Sequence, residues 1–486
     1  MNVLKGLEPK KVFEYFEEIA NIPHGSYNEK EISDFVAKTA QKAGLKCKRD
    51  ELCNCIVTKP ATAGYENEPP VILQGHMDMV CEKRPGYVHD FKKDPLKLRK
   101  NDKYIWADGT TLGGDDGIAV AYMLSLMTDK KISHPKLYFV FTVSEEVGMD
   151  GAKRIDLSKV KAKRLLNIDS DEEEKIIVGC AGGVTSRVTL PVERTKEKGH
   201  LCEIKVTGLL GGHSGTDIHL GRANANKLMG RILIYLRSEG VVFYIVDIAG
   251  GTRHNVIPSE GSLKLLIKKK SFDIFEEAIG GILSRLRAEF AVTDPSVNID
   301  YKLDRKNKIS DAVLDETSAK GAMTLLNMVK DGVLSYSAEI EGLVEPSSNM
   351  AVVNMKKKEL EIDFSIRSLE FHARQSALYS IRNICEVLNA EITTLDEYPE
   401  WKIVHDSPFC EKAVRAYREV FEREPEVTAV HAGLECAVLG EKIKGLDAIS
   451  IGPKMRDIHT PSERLSIESA GKVYKYIKKI LEAKEE

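Results

Sequence analysis

No stretch of this 486-residue chain is apolar for long enough to cross a bilayer. The opening residues, Met1-Asn2-Val3-Leu4-Lys5-Gly6, also lack the apolar centre of a secretory leader. There is no block of like charge. Seventy-one basic and 74 acidic side chains leave a formal charge of −3, which argues against nucleic acid or an anionic membrane as partner. The nine cysteines show no zinc-finger spacing, and their odd number is at variance with a disulfide framework. They read as reduced, mostly buried thiols of a cytoplasmic protein, with Cys53 and Cys55 at alternate positions of a strand. No short-period repeat or low-complexity tract is found. The remainder is ordinary globular composition, 42% hydrophobic and 30% charged. A chain of this length exceeds what one hydrophobic core accommodates, so at least two domains are expected.

Apolar residues at helical spacing, Val12, Phe13, Phe16, Ile19 and then Ile32, Phe35, Val36, Ala40, predict helices near 8–21 and 29–43. A strand at 53–58 and apolar runs at 71–74, 137–143 and 165–168 alternate with a compact apolar helix at 118–127. That order suits an open α/β sheet. After Cys180-Ala181-Gly182-Gly183 the pattern changes. Strands near 184–190, 202–206, 241–248 and 262–267 are interspersed with helices at 223–236, 272–290 and 315–329. Residues 360–366 alternate as a half-exposed strand. This section, 184–398, is expected to be a separate α+β domain. The last section returns to α/β, with helices at 409–421, 434–439 and 467–481 and strands at 427–430 and 448–451. Its simplest placement is in one discontinuous α/β domain, 1–183 and 399–486, built on a mixed central sheet flanked by helices.

Chemistry-bearing residues collect at the ends of these elements. His76 and Asp78 follow the 71–74 strand directly. Carboxyl ends of sheet strands are where open α/β sheets bind ligands. Asp78 can accept the second ring N–H of His76 and so fix its tautomer. Read alone, His-x-Asp is better explained as a surface histidine in a turn. Asp115-Asp116 follows Gly113-Gly114 and opens a helix. One acid of that pair is explained as an N-cap, but two are not. Glu145-Glu146 ends the 137–143 strand. Adjacent side chains there diverge, so one glutamate can bind a metal while the other hydrogen-bonds a water. Asp169 ends the next strand, and the following Asp171-Glu172-Glu173-Glu174 run reads as a solvated face. His459 lies in a tight segment before the last helix. Together His76, Asp115, Glu146, Asp169 and His459 supply two imidazoles and three carboxylates. That is the donor set of a zinc pair sharing one bridging carboxylate, and it implies metal-assisted hydrolysis.

The motifs GHMDMV, LGGDDG, SEEVGMDGA, NIDSDEE, GGHSG, GGTRHNVIP, HAGLEC and GPKMRDIHTPSERLSI, in this order over nearly the whole chain, closely resemble the aminoacyl-histidine (Xaa-His) dipeptidase family. That family is similar to bacterial carnosinases and cytosolic non-specific dipeptidases. The resemblance implies hydrolysis of dipeptides with a free N-terminus by a zinc-activated water. It implies two Zn2+ per subunit, with Mn2+ or Co2+ as substitutes. His76 and Asp169 would hold one ion, Glu146 and His459 the other, and Asp115 would bridge them. Asp116 is the alternative bridge. Asp78 would orient the zinc-bound imidazole and Glu145 would be the general base. The Asp115–Asp116 peptide bond would be cis.

The resemblance further makes 184–398 a lid and dimerisation domain. His213 would donate to the oxyanion, in cis or from the partner of a homodimer. Asn255 would bind substrate, and Arg367 its C-terminal carboxylate. Glu435 would receive the substrate ammonium, with His431 binding substrate or orienting Glu435. Read without the family, His213 is a loop histidine and Arg367 a solvated edge cation. Cys436 reads as packing rather than as a nucleophile paired with His431. Small peptides are the expected partners. A tripeptidase, a carboxypeptidase, an N-acyl amino acid deacylase or a non-catalytic metal- or peptide-binding relative would retain much of the same pattern.

Overall fold

The computed structural model describes residues 3–484. They divide into two compact units. One comprises the residues up to Gly179, Trp401–Ala429, and those from Leu434 onward. The other comprises Cys180–Glu400 with Val430–Gly433.

The first unit is built on an eight-stranded sheet. Its strands run in the order Lys46–Arg49, Cys55–Lys59, Leu137–Thr142, Val71–His76, Arg164–Asn167, Asp447–Ser450, Lys175–Cys180 and Glu426–Val430. The middle four, from Leu137–Thr142 to Asp447–Ser450, are parallel, and antiparallel pairings flank them, so the sheet is mixed as expected. The Val71–His76 and Leu137–Thr142 strands are buried at every position. This is why they read as unbroken apolar runs rather than as alternation. Residues 118–127 of the Gly114–Thr128 helix are likewise buried all round. Its Tyr122 hydroxyl donates to the Ala470 carbonyl at 2.8 Å, tying it to the Ile467–Glu482 helix. Cys53 is not a strand residue. It sits in a turn at φ 79°, and the strand begins at Cys55. Two short strands, Met455–Arg456 and Arg464–Ser466, pair antiparallel and carry residues 457–463 as their connecting loop.

The second unit is built on a nine-stranded sheet whose strands Arg194–Thr207, Phe243–Gly250, Gly261–Ile267, Ser347–Met355 and Glu359–Ser368 pair antiparallel with their neighbours. The helices Ala225–Ser238, Phe272–Glu289, Glu316–Met328 and Phe371–Leu388 share its core. The strand expected to be half-exposed, observed as Glu359–Ser368, is buried from Ile362 onward. It pairs on both sides, with Ser347–Met355 and Gly182–Pro191. No helix among the described residues is long and apolar enough to cross a membrane.

Candidate metal centre

Three strand ends, the start of the Gly114–Thr128 helix and the 457–463 loop of the first unit bring the five expected ligands together. His76 is the last residue of its strand and is almost fully buried. Its Nδ1 lies 3.0 Å from the Asp78 backbone carbonyl and 3.4 Å from Asp78 Oδ1. The tautomer-fixing contact is therefore made chiefly by the carbonyl of Asp78. A proton held on Nδ1 leaves the Nε2 lone pair for a cation. That Nε2 is 3.1 Å from Asp115 Oδ1 and 3.5 Å from Asp169 Oδ1. His459 Nε2 is 3.0 Å from Asp115 Oδ2 and 3.0 Å from Glu146 Oε1. Asp115 thus turns one oxygen to each imidazole, and each imidazole has a second carboxylate of its own.

Asp116 also lies beside His76 and Asp169, but its contacts differ from those of Asp115. It is fully buried, and its Oδ2 accepts from the His76 backbone N–H at 3.1 Å. It contacts backbone where Asp115 contacts both rings. The bond joining the two acids is cis.

The electrostatics are those of a site short of positive charge. Burial disfavours the charged form of His76, but Asp115, Asp169 and Asp78 outweigh it and hold the ring well above the ordinary histidine range. Burial likewise opposes charge on His459, yet Asp115 and Glu146 raise it to about 11. Burial opposes ionisation of Asp115 too, but its two imidazoles keep it well below the usual carboxylate range. Glu146 is pushed up to about 7 by burial and the Asp115 charge, against the pull of His459. Asp169 is pushed up to about 6 by burial, with His76 opposing. Glu146 Oε1 lies close to His459 but makes no hydrogen bond of acceptable geometry. A buried carboxylate oxygen that faces a ring nitrogen without a well-formed hydrogen bond is poorly satisfied, and a cation between the two would satisfy both. This donor set of nitrogen and oxygen atoms suits a divalent metal of the zinc type.

Asp78 accepts from the backbone N–H groups of Glu145 and Glu146 at 3.0 and 3.3 Å and from Ser26 Oγ at 2.8 Å. Glu145 is half-buried on the turn after the Leu137–Thr142 strand. Burial raises its pKa well above the ordinary value, and the charges of Glu146, Asp169 and Glu435 add to this against His76. A carboxyl so placed holds a proton more readily than an ordinary one, which suits a general base. Ser144 begins that turn at φ 54°, held by Glu29 Oε1, which accepts from its N–H and hydroxyl at 3.0 and 2.8 Å. Neither Ser26 nor Glu29 stands out in the sequence, because Ser26 lies in a polar turn and Glu29 at the start of a helix, with no motif of their own.

Glu435 requires a correction. It was expected to meet the substrate ammonium, but it has no solvent-accessible surface. Its Oε2 accepts from Thr142 Oγ1 at 2.6 Å and Gln74 Nε2 at 2.5 Å, and Asn167 Nδ2 donates to Gln74 Oε1 at 2.7 Å. This buried network links three adjacent strand ends beneath His76 and Asp169. The acidic run after Asp169 also differs from expectation. Glu172 pairs with Arg456 at 2.9 Å, and Glu173 with Arg423 at 3.2 Å, so it is an ion-pair network rather than a solvated face.

The second unit holds the other expected residues. His213 and Val256 pair in a two-stranded ribbon, and the Asn255 carbonyl accepts from Ser214 N at 2.8 Å. The Asn255 side chain is exposed. Arg367 is not the solvated edge cation that its local sequence suggests, being only 8% exposed. One Nη donates to the Tyr398 hydroxyl at 2.5 Å, its Nε has no partner, and among the described residues no carboxylate pairs with it. His431 Nε2 lies 2.7 Å from Ser347 Oγ. Burial and the Arg367 charge push His431 down to about 3, leaving it neutral. Cys436, in the first unit, is fully buried, as packing requires.

Comparison with known proteins places the chain among peptidases. Residues 72–483 match the model of peptidase family M20/M25/M40. The cytosol non-specific dipeptidase of Escherichia coli (strain K12) is 34% identical over 483 residues, covering 99% of both chains. The crystal structure of aminoacylhistidine dipeptidase from Vibrio alginolyticus superposes with a TM-score of 0.83 at 31% identity, covering 99% of this chain and 98% of that one. A tripeptidase from Staphylococcus aureus shares the fold, with a TM-score of 0.58 at 17% identity and 98% coverage of each chain. A match over most of the chain, together with relatives aligned end to end, means that this protein belongs to peptidase family M20/M25/M40.

Proposed function

We propose that this protein is a metal-dependent dipeptidase acting on dipeptides with a free N-terminus, Xaa-His and carnosine-like substrates among them. The observation that carries this reading is Asp115, with Oδ1 facing His76 and Oδ2 facing His459. His76 and Asp169 would hold one zinc, Glu146 and His459 the other, with Asp115 between them. When bound, such a pair lowers the pKa of water and polarises the scissile carbonyl. Glu145 takes the proton from the attacking water and returns it to the leaving amine. Asp78 keeps His76 and the backbone of Glu145-Glu146 in register.

The unit containing residues 180–400 is assigned the lid and dimerisation role. Arg367, buried and lacking a carboxylate, is assigned the substrate's C-terminal carboxylate. Asn255 is assigned a contact to the peptide and His213 the oxyanion, in cis or from the partner of a homodimer. His431, neutral beside Arg367, is assigned a positioning role there. The protein is assigned to the cytosol, in line with the name of the Escherichia coli relative.

The test is a panel of Xaa-His and other dipeptides, a tripeptide and an N-acetyl amino acid, assayed with and without chelator and Zn2+ add-back. Dipeptides should dominate, chelation should abolish turnover and zinc should restore it. Glu145→Ala should retain metal and lose about 10²–10⁴ in kcat. Turnover indifferent to chelation, or a Glu145→Ala enzyme as fast as wild type, would overturn the proposal.

A further inference from the structure

The turn that presents Asp115 is a concave run of backbone N–H groups. Gly113 lies at φ 67°, in the left-handed region, and the Gly114–Thr128 helix that follows has no side-chain cap from its own N-terminal residue. Successive N–H groups in such a turn form a nest for an anion. This nest is filled from a distant part of the chain. Glu463 Oε2 accepts from Leu112 N at 2.7 Å and Gly113 N at 3.1 Å, while Oε1 accepts from Gly114 N at 2.8 Å and Asp115 N at 3.3 Å. The carboxylate is almost fully buried. Burial and the neighbouring Asp115 charge push its pKa up to about 7, against the pull of the four N–H groups.

Glu463 also belongs to the loop that carries His459. That loop is pinned by Thr460 Oγ1 donating to the Asp457 carbonyl at 2.7 Å and by Glu463 N donating to the Thr460 carbonyl at 3.1 Å. A short stretch of chain therefore carries both an imidazole facing Asp115 and a clamp on the backbone that aims Asp115. Capping a buried helix needs only one oxygen and one or two N–H groups. Here both oxygens are used, on consecutive residues ending at the bridging acid itself.

We propose that Glu463 is a positioning residue of the metal centre, fixing Asp115 and His459 relative to each other so that one carboxylate can serve two ions. The inference rests on the two-ion reading above. In Glu463→Gln the carboxamide NH2 would face backbone N–H donors, so half of the clamp is lost while the shape is kept.

The experiment uses the full-length protein, Mn2+ and Zn2+ as probes, and electron paramagnetic resonance alongside calorimetric titration. Wild type loaded with two equivalents of Mn2+ should show an exchange-coupled pair. Glu463→Gln should show signal from isolated ions, and its weaker Zn2+ site should lose about tenfold or more in affinity. Tyr122→Phe is the control. It removes a hydrogen bond from the same helix on the side facing Ala470, and it should leave coupling and affinity unchanged. If Glu463→Gln does not fold, Gly114→Ala carries the same test, since its Cβ would meet Glu463 Oε1 at 3.1 Å. Wild-type coupling and affinity in the clamp variant would overturn this inference alone. Equal losses in Tyr122→Phe would reduce Glu463 to a fold-stabilising residue and also overturn it. A wild type that binds no coupled pair would overturn the two-ion reading as well.

Discussion

Replacing Glu435 with glutamine should make the metal-free protein more stable at alkaline pH and leave its pH 4 stability little changed. Glu435 is fully enclosed, and burial pushes its pKa from the ordinary 4.5 up to about 7, with the charges of Asp169 and Asp78 adding to this. His76 and the Thr142 hydrogen bond oppose the shift. Below about pH 4.5 the carboxyl is protonated in both folded and unfolded chains and contributes no pH dependence. Between 4.5 and 7 the unfolded chain ionises while the folded one stays protonated, so folding loses stability as pH rises. Above about 7 the loss levels off. A shift of this size corresponds to about 3 kcal/mol.

In Glu435→Gln the new carboxamide can keep its carbonyl where Oε2 of Glu435 accepts from Gln74 and Thr142, and it cannot ionise. Any constant packing cost cancels in the comparison across pH. Urea unfolding of both chelator-treated proteins from pH 4 to pH 8.5 gives the difference directly. It should grow by about 3 kcal/mol in favour of the variant. Parallel curves would refute the argument, because they would mean that the carboxylate is not enclosed as described.

Two further substitutions probe the site from other sides. Arg367→Lys keeps the charge but loses the planar fork, so KM for dipeptides should rise about 10–100-fold with a smaller change in kcat; an unchanged KM would remove Arg367 from substrate binding. Gly452→Ala would drive a Cβ into the Ser170 carbonyl oxygen. It should displace the turn bearing Asp169, cost about 3 kcal/mol in thermal unfolding and weaken zinc binding; wild-type zinc titration would show that the turn tolerates the shift.

Four of the five proposed ligands stand out in the sequence because each follows a strand or opens a helix whose apolar run is easily seen, whereas His459 lies in a loop with no such run. Val71–His76 and Leu137–Thr142 announce themselves, and His76 and Glu146 follow from where they stop. The supporting residues were not legible in this way. Glu463 sits in a Pro-Ser-Glu-Arg stretch that looks like surface, and only the glycine nest on a remote segment gives it meaning. Glu435 was given a substrate role because burial cannot be read from a strand-to-helix junction. The Asn298–Leu314 strand was missed for the opposite reason. It is an edge strand paired only with Arg194–Thr207, and most of its middle is exposed, so little apolar alternation marks it. The Phe371–Leu388 helix buries only Arg374, Leu378, Ile381 and Cys385, too thin a stripe to stand out.

The partnership of Asp115 with His459 has a consequence for biosynthesis. The two are 344 positions apart. At about 5–20 residues per second, translation leaves the early acids without their late imidazole for roughly 20–70 s. Through that interval the emerging polypeptide carries clustered negative groups whose counter-charge has yet to be made. Stable metallation should therefore follow release from the ribosome, and a transcript cut short before codon 459 should yield a product unable to retain its full complement of ions.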